Sequence, residues 1–311
     1  MARRLLPRHA PFGGDVLSAL DRVLAGASSM QRAWLSDYLV DGLATGGLPA
    51  ARTEAVVSVG EVVECINLNS SRSDRATMHV AVAFGESPPS YEAGAVLELL
   101  EIDGAGVPAC TLAVASSRKE VADEVHAVLS VEPATAPVAE RLRLGSSVRV
   151  RMREEAAFRL PPDPEADLVM IGVEAGVAPY RAFMQERRAL GARRRSWLIF
   201  GGRRFTHDFL YQLEWQAALA DGSLTRIDLA FSHDQPERIG VEDRLFERRQ
   251  PLVEWIEEGA ILYLCADPES AERARAGLVR SIAAAKACGP DAAIALVSDL
   301  ARQSRFRQRH P

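Results

Sequence analysis

The stretch LVMIGVEAGVAPYRAF, residues 168–183, sets an apolar run of four, a glycine-bounded turn and a helix-forming segment end to end. A strand that passes through small residues into a helix is how a parallel α/β sheet offers backbone N–H groups to a phosphate. The pattern recurs: apolar runs at 168–171, 197–200, 225–231 and 260–265 alternate with helical segments at about 177–190, 208–221, 241–257 and 268–287. That alternation predicts a parallel sheet with helices on both faces and ligands at the carboxyl ends of its strands. One residue conflicts with a phosphate ligand: the middle of the turn is Glu174, a carboxylate.

Upstream the period changes. Short apolar or alternating runs at 55–59, 61–66, 78–84, 96–100, 124–131 and 148–152 are broken by Ser, Gly and Pro. Strands at this spacing predict a small antiparallel β-barrel, closed off by Pro161-Pro162-Asp163-Pro164. Residues 15–44 carry two amphipathic helical patterns. Val16, Leu17, Leu20, Val23 and Leu24 form one stripe; Trp34, Leu35, Tyr38, Leu39 and Leu43 form the other, after a capping box at Ser28–Gln31. Two short helices cannot bury both stripes alone, so this segment is expected to dock on the rest of the chain, on a second copy or on a protein partner. A glycine- and alanine-rich linker follows at 44–50. The expected organisation is an α+β chain in three parts: an N-terminal docking segment and linker (1–50), a β-barrel domain (51–162) and an α/β domain (163–311).

With 37 basic and 42 acidic residues the net charge is −5, so no overall field favours nucleic acid. The basic tail at Arg302, Arg305, Arg307 and Arg309 reads as a solvated end. No apolar stretch has the length to span a bilayer and the N-terminus lacks a signal-peptide core, which predicts a cytoplasmic protein. The four cysteines, Cys65, Cys110, Cys265 and Cys288, are widely spaced and the six histidines scattered, so neither disulfides nor a metal site is expected.

The segments FRLPPDPEADLVMIG, GVAPYRAFMQER, WLIFGGRRFTHDFLYQLEWQ, LTRIDLAFSHDQ and LYLCAD together resemble the ferredoxin–NADP reductase superfamily. Within it the likeness is to the flavoprotein (alpha) subunit of NADPH-dependent sulfite reductase. It runs nearly unbroken from about residue 158 to 282 and more weakly through the barrel, where Tyr91-Glu92-Ala93-Gly94 stands for Y-x-P-G. The resemblance implies an FAD-binding barrel, an NADPH-binding domain, and subunit or redox-partner contacts through the N-terminal region. The FMN-binding flavodoxin domain and the connecting insert of that subunit have no counterpart: the linker leads directly into barrel strands, and about ten residues separate Leu100 from Cys110.

Position by position, the resemblance implies these roles. The FAD motif R-x-Y-S-x-A-S-S falls on Cys110–Ser117, with Cys110 for the pyrophosphate-binding Arg, Leu112 for the Tyr against the flavin and Ala113 for the Ser that hydrogen-bonds it. The FAD turn G-G-A-S-S falls on 133–137, where Thr135 keeps a hydroxyl between Pro133 and Pro137, and Pro311 replaces a terminal aromatic. The NADPH turn G-P-G-T-G falls on 172–176, with Gly172 and Gly176 kept and Glu174 for the second glycine. A nearby cation such as Arg181 would soften the repulsion between that carboxylate and a phosphate. The 2′-phosphate motif S-R-D-Q falls on Ser232, His233, Asp234 and Gln235; Arg238 follows for a Lys, then Gly240 for the adenine-stacking Tyr and Glu242 for a Gln. Cys265 and Asp267 match the catalytic pair near the nicotinamide, although a buried strand-end Cys is also a plain small hydrophobe.

Three readings follow. The chain is a degenerate reductase module, with weak or no FAD and NADPH binding, that serves as an accessory or scaffolding subunit. Alternatively, it is an active FAD-dependent NAD(P)H oxidoreductase passing electrons to a partner, which Ser232, Arg238, Cys265 and Asp267 favour. A third reading places another ligand in a vacated flavin groove walled by Leu112 and Ala113.

Overall fold

A computed structural model describes residues 56–311. The docking residues Trp34, Leu35, Tyr38 and Leu39 lie outside the described residues. Six antiparallel strands, β1 (Val57–Asn67), β2 (Thr77–Ala83), β3 (Val96–Ile102), β4 (Ala105–Val114), β5 (Glu124–Ser130) and β6 (Ser147–Arg153), close a barrel in the order β1-β2-β5-β4-β3-β6. The two runs read at 55–59 and 61–66 are one strand, β1, whose register shifts between Val62 and Glu64. Strand β4 turns back from β3 through Asp103-Gly104, both at positive φ (51° and 75°), as a two-residue hairpin with a right-handed twist requires. Alternate residues such as Val62, Val80, Leu97, Leu112, Leu129 and Val150 fill the barrel. One short helix, α1 (Ala136–Ala139), lies between β5 and β6.

The second layer system is a five-stranded parallel sheet in the order β11-β10-β7-β8-β9. Its strands are β7 (Leu168–Val173), β8 (Ser196–Gly202), β9 (Arg226–Phe231), β10 (Ile261–Cys265) and β11 (Phe306–Arg309). The intervening helices are α2 (Ala178–Ala189), α3 (Phe205–Asp208), α4 (Gln212–Ala220), α5 (Val241–Glu247), α6 (Arg249–Glu257), α7 (Pro268–Ala285) and α8 (Pro290–Arg302). The strand residues are buried on both sides. Val169, Trp197 and Ile199 pack with Leu245, Leu252 and Leu278 on one face; Met170, Leu198 and Phe200 pack with Tyr180, Phe183 and Trp215 on the other. The chain runs outward from β7 to β9 and then returns to β10 on the other side of β7. The strand order therefore reverses between β7 and β10, where an open α/β sheet leaves its ligand crevice.

Two readings of the sequence change here. The helical patterns at 208–221 and 241–257 are each interrupted, the first at Tyr211 with φ 57°, the second at Arg248. The basic tail is a solvated end only at Arg302, the exposed last residue of α8; Arg307 and Arg309 lie on β11, with Leu262 opposite Phe306 and Cys265 opposite Arg309. Arg305 donates to the Ala260 carbonyl (3.1 Å), and Arg309 is 8% exposed, donating to the Gly94 carbonyl of the barrel (2.6 Å) over the face of Phe158. Long arginine stems are buried readily when carbonyl oxygens receive the head group.

Candidate functional site

At the switch point β7 ends and a 3-10 turn, Glu174–Val177, leads into α2, whose first turn carries Pro179, a residue suited to that position. Two glycines are fixed by close approach. A Cβ on Gly172 would lie 2.9 Å from the Tyr180 ring, and one on Gly176 would lie 2.0 Å from the Cys265 carbonyl oxygen. The third position shows the opposite. Glu174 holds φ 49°, the left-handed region that favours glycine, at a cost of about 1–2 kcal/mol.

The Glu174 carboxylate is half-buried, with Arg75 Nε 3.8 Å away. Burial pushes its pKa up; Asp208 and Asp267 push the same way, while Arg75 and Arg203 pull it down. Arg181 is not its partner, because that side chain bonds to Glu214 (2.7 Å) and to the Ala115 carbonyl (2.8 Å). Arg75 comes from the loop between β1 and β2, which crosses onto the strand ends of the sheet. There Asp74 pairs with Arg203 (2.7 Å), Asn69 Nδ2 donates to Asp208 (2.8 Å), and Ser70 meets His207 Nδ1 (3.0 Å).

Beyond β9, Ser232 Oγ lies 2.8 Å from His233 Nδ1, and Arg203 Nη2 lies 3.3 Å from His233 Nε2. These three form a polar cluster, while Arg238 is exposed nearby in sequence. Glu242 fills the space over Gly240: a Cβ there would lie 2.3 Å from its carboxylate, which also faces Arg273 Nε at 3.5 Å. Asp267 is the N-cap of α7, accepting from the Ser270 N–H (3.0 Å). Burial raises its pKa, but the Ser270 hydrogen bonds prevail and the net shift is downward. Cys265 is fully buried; burial pushes its thiol up, against the pull of Arg309.

The barrel side decides whether a flavin fits. Cys110 and Leu112 belong to the interior of the barrel. Ala113 and Ala115 pack with Val128 against Ala175 and Ala178 of the β7 turn and α2, with Leu68 and Tyr211 at the edge. The position that the resemblance gives to the hydroxyl on the flavin is therefore covered by protein. Thr135 Oγ1 donates to the Ser130 carbonyl (2.6 Å) and accepts from the Glu132 N–H (2.8 Å), closing its own turn. Beside the seam, His79 Nδ1 meets the Tyr211 hydroxyl (2.8 Å) and stands edge-on to His126. Burial, the neighbouring imidazole and Arg181 push the His79 pKa down to about 3, and His126 shifts the same way. Ser116 bonds to Tyr91 (2.9 Å), and Ser117 takes Gln185 (2.9 Å) and Glu186 as partners. Where the two walls meet, Leu112 and Ala113 offer an isoalloxazine neither an aromatic face nor a hydroxyl. A hollow of about 280 Å³ at Tyr91, Glu154 and Arg159 lies below the size that encloses a drug-sized ligand.

The structure thus brings Gly172, Glu174, Gly176, Cys265 and Asp267 to one crevice, and Ser232 and His233 to its rim. It separates Cys110 and Leu112 from that crevice. The sequence reading missed the seam of His79, His126, Arg181 and Tyr211; a histidine within each of two apolar runs that pair as neighbouring strands, His79 buried and His126 half-buried, was the available signal. Among the described residues no group of three or more His, Cys, Asp or Glu is placed to hold a metal ion, and no helix is long and apolar enough to cross a membrane.

The family of oxidoreductase NAD-binding domains matches residues 170–275. The chain is similar to the sulfite reductase [NADPH] flavoprotein alpha-component of Cronobacter sakazakii, 42% identical over 207 residues, which cover 63% of this chain and 34% of that protein. The corresponding protein of Yersinia enterocolitica is 45% identical over 165 residues (50% and 28%), and that of Escherichia coli 38% over 234 residues (71% and 38%). The chain matches between 28% and 38% of the length of these relatives.

Proposed function

We propose that this chain, a barrel and sheet with the two-domain fold of the ferredoxin–NADP reductase superfamily, is a sulfite-reductase-flavoprotein-like module that has given up flavin chemistry. In this reading it serves as an accessory or scaffolding subunit of a larger complex. The observation that carries it is the seam: Ala113, Ala115 and Val128 lie directly on Ala175 and Ala178 where a flavin would need a slot. Inward-facing Cys110 and Leu112 and the self-bonded Thr135 support the same reading, since none offers a cation, an aromatic face or a free hydroxyl. Partner contact falls to residues 15–44 on their sequence pattern.

The reading is tested by the absorbance of the purified full chain from 300 to 600 nm, before and after adding excess FAD and desalting. A protein without flavin bands after desalting is the expected result. Bands retained at near-stoichiometric occupancy would overturn the reading and leave the active oxidoreductase, with Cys265 and Asp267 beside the nicotinamide, in its place.

A further inference from the structure

We infer that Glu174 is the built-in anion of the nucleotide turn: a carboxylate of the chain itself stands where a dinucleotide phosphate would bind, and its charge is what keeps pyridine nucleotide out. The inference rests on the reading above and concerns the second cofactor rather than the flavin.

Four observations carry it. The turn retains its architecture, with Gly172 and Gly176 held at closest approach to Tyr180 and Cys265 and α2 opening directly behind. Within that frame Glu174 sits at a left-handed φ of 49°, so a residue with a side chain is kept at the position where glycine costs least. The only cation within ion-pair distance of it among the described residues, Arg75, is 3.8 Å away on the barrel's loop, and its neighbour Arg203 is already taken by Asp74. Two further carboxylates, Asp208 and Asp267, are near enough to push the Glu174 pKa up. A phosphate entering the turn would therefore meet the Glu174 carboxylate at the position where a glycine would leave it room. Glu242, filling the space above Gly240 with Arg273 3.5 Å away, is a fourth carboxylate in this part of the domain.

Like charges at close range in a half-buried site weaken binding by about two to three orders of magnitude, and the partial compensation by Arg75 sets the expectation at the lower end. The test is calorimetric titration of the full chain with NADPH, for the wild type, Glu174→Gly and Glu174→Gln. Glu174→Gln is expected to bind about 100-fold more tightly than the wild type, because it removes the charge, and Glu174→Gly at least as tightly, because it also removes the side chain from the turn. Binding in both variants no tighter than in the wild type would overturn the inference. So would wild-type binding as tight as that of Glu174→Gly. Circular dichroism keeps the comparison sound: glycine relieves the left-handed backbone, so Glu174→Gly is expected to melt no lower than the wild type. If it did not fold, Glu174→Gln alone would decide. Because the readout is nucleotide binding, failure here is separate from flavin retention, which tests the proposed function.

Discussion

Replacing Arg181 by Ala tests whether the barrel and the sheet are joined as one body at the flavin position. Arg181 lies on α2, and its side chain is only 13% exposed. Its Nη1 donates to the Ala115 carbonyl on the barrel (2.8 Å) and approaches His126 Nδ1 (3.3 Å), while its guanidinium stacks 5.2 Å from the centre of the Tyr211 ring. Ala115 is fully buried, so removing the donor leaves an unsatisfied carbonyl, a loss of about 1–3 kcal/mol. The arginine stem and the stacking on Tyr211 add about 1 kcal/mol. The Glu214 pair, open to solvent on its acidic side, adds about 0–1 kcal/mol. The sum is about 2–5 kcal/mol. Urea unfolding followed by far-ultraviolet circular dichroism and by tryptophan fluorescence reads it directly. Wild type is expected to unfold in one transition by both probes, since the fluorescence reports only the sheet among the described residues, through Trp197, Trp215 and Trp255. Arg181→Ala is expected to lower the midpoint, and Arg181→Lys, which can reach one partner but not all, to fall between them. A loss under about 0.5 kcal/mol would show that the seam carries little of the stability, and the case for a closed flavin face would go with it.

Gly176→Ala brings a methyl to 2.0 Å from the backbone oxygen of Cys265; overpacking against backbone predicts a loss of about 3 kcal/mol, read as a fall in Tm. The buried imidazoles predict an acid-sensitive fold. In the unfolded chain His79 titrates near pH 6.5, whereas in the folded chain its pKa is about 3, so below pH 6.5 the unfolded state binds the extra proton. Stability is then complete above pH 6.5 and falls as the pH drops towards 3. From pH 7.5 to 5.5 the loss is about 1–2 kcal/mol, His126 acting in the same direction. Urea midpoints at the two pH values measure it, and His79→Gln should flatten the difference.

Much of the fold was legible because its periods are clean. Runs such as Leu168–Ile171 and Trp197–Phe200 are buried on both faces and separated by helix-length segments, so the parallel sheet could be read from them alone. The last two elements were hidden for physical reasons. Strand β11 is four residues long with two arginines in it, and its strand character comes from pairing with β10, not from its own composition. Helix α8 did leave a signal, the Gly289-Pro290 start, which suits a helix N-terminus. At the site, the sequence exposed the turn and the misplaced charge of Glu174, but not its left-handed φ, which the fold imposes. The seam was illegible because it is built from alanines at 113, 115, 175 and 178. Alanine fits nearly any environment, and the contact joins residues some sixty positions apart.

In the proposed reading, those alanines also let a flavin slot close without harm to the rest of the fold. When a large flat ligand is absent, the two walls it would separate have two choices: admit water to apolar surface, or meet. Meeting requires that neither wall carry a side chain long enough to prop the other away. An aromatic residue or a bonded hydroxyl on β4 would do that; Ala113 and Ala115 do not. On the facing side Ala175 and Ala178 lie in the turn and first helical position, where the backbone itself advances on the barrel. Contact at this range gains dispersion and removes apolar area from water, about 25 cal/mol per Å². It also places Arg181 within reach of the Ala115 carbonyl and Tyr211 within reach of His79. Small residues on both sides and polar partners at the rim act in the same direction, so in that reading the substitutions that remove the ligand's contacts are the ones that let the two domains supply each other's.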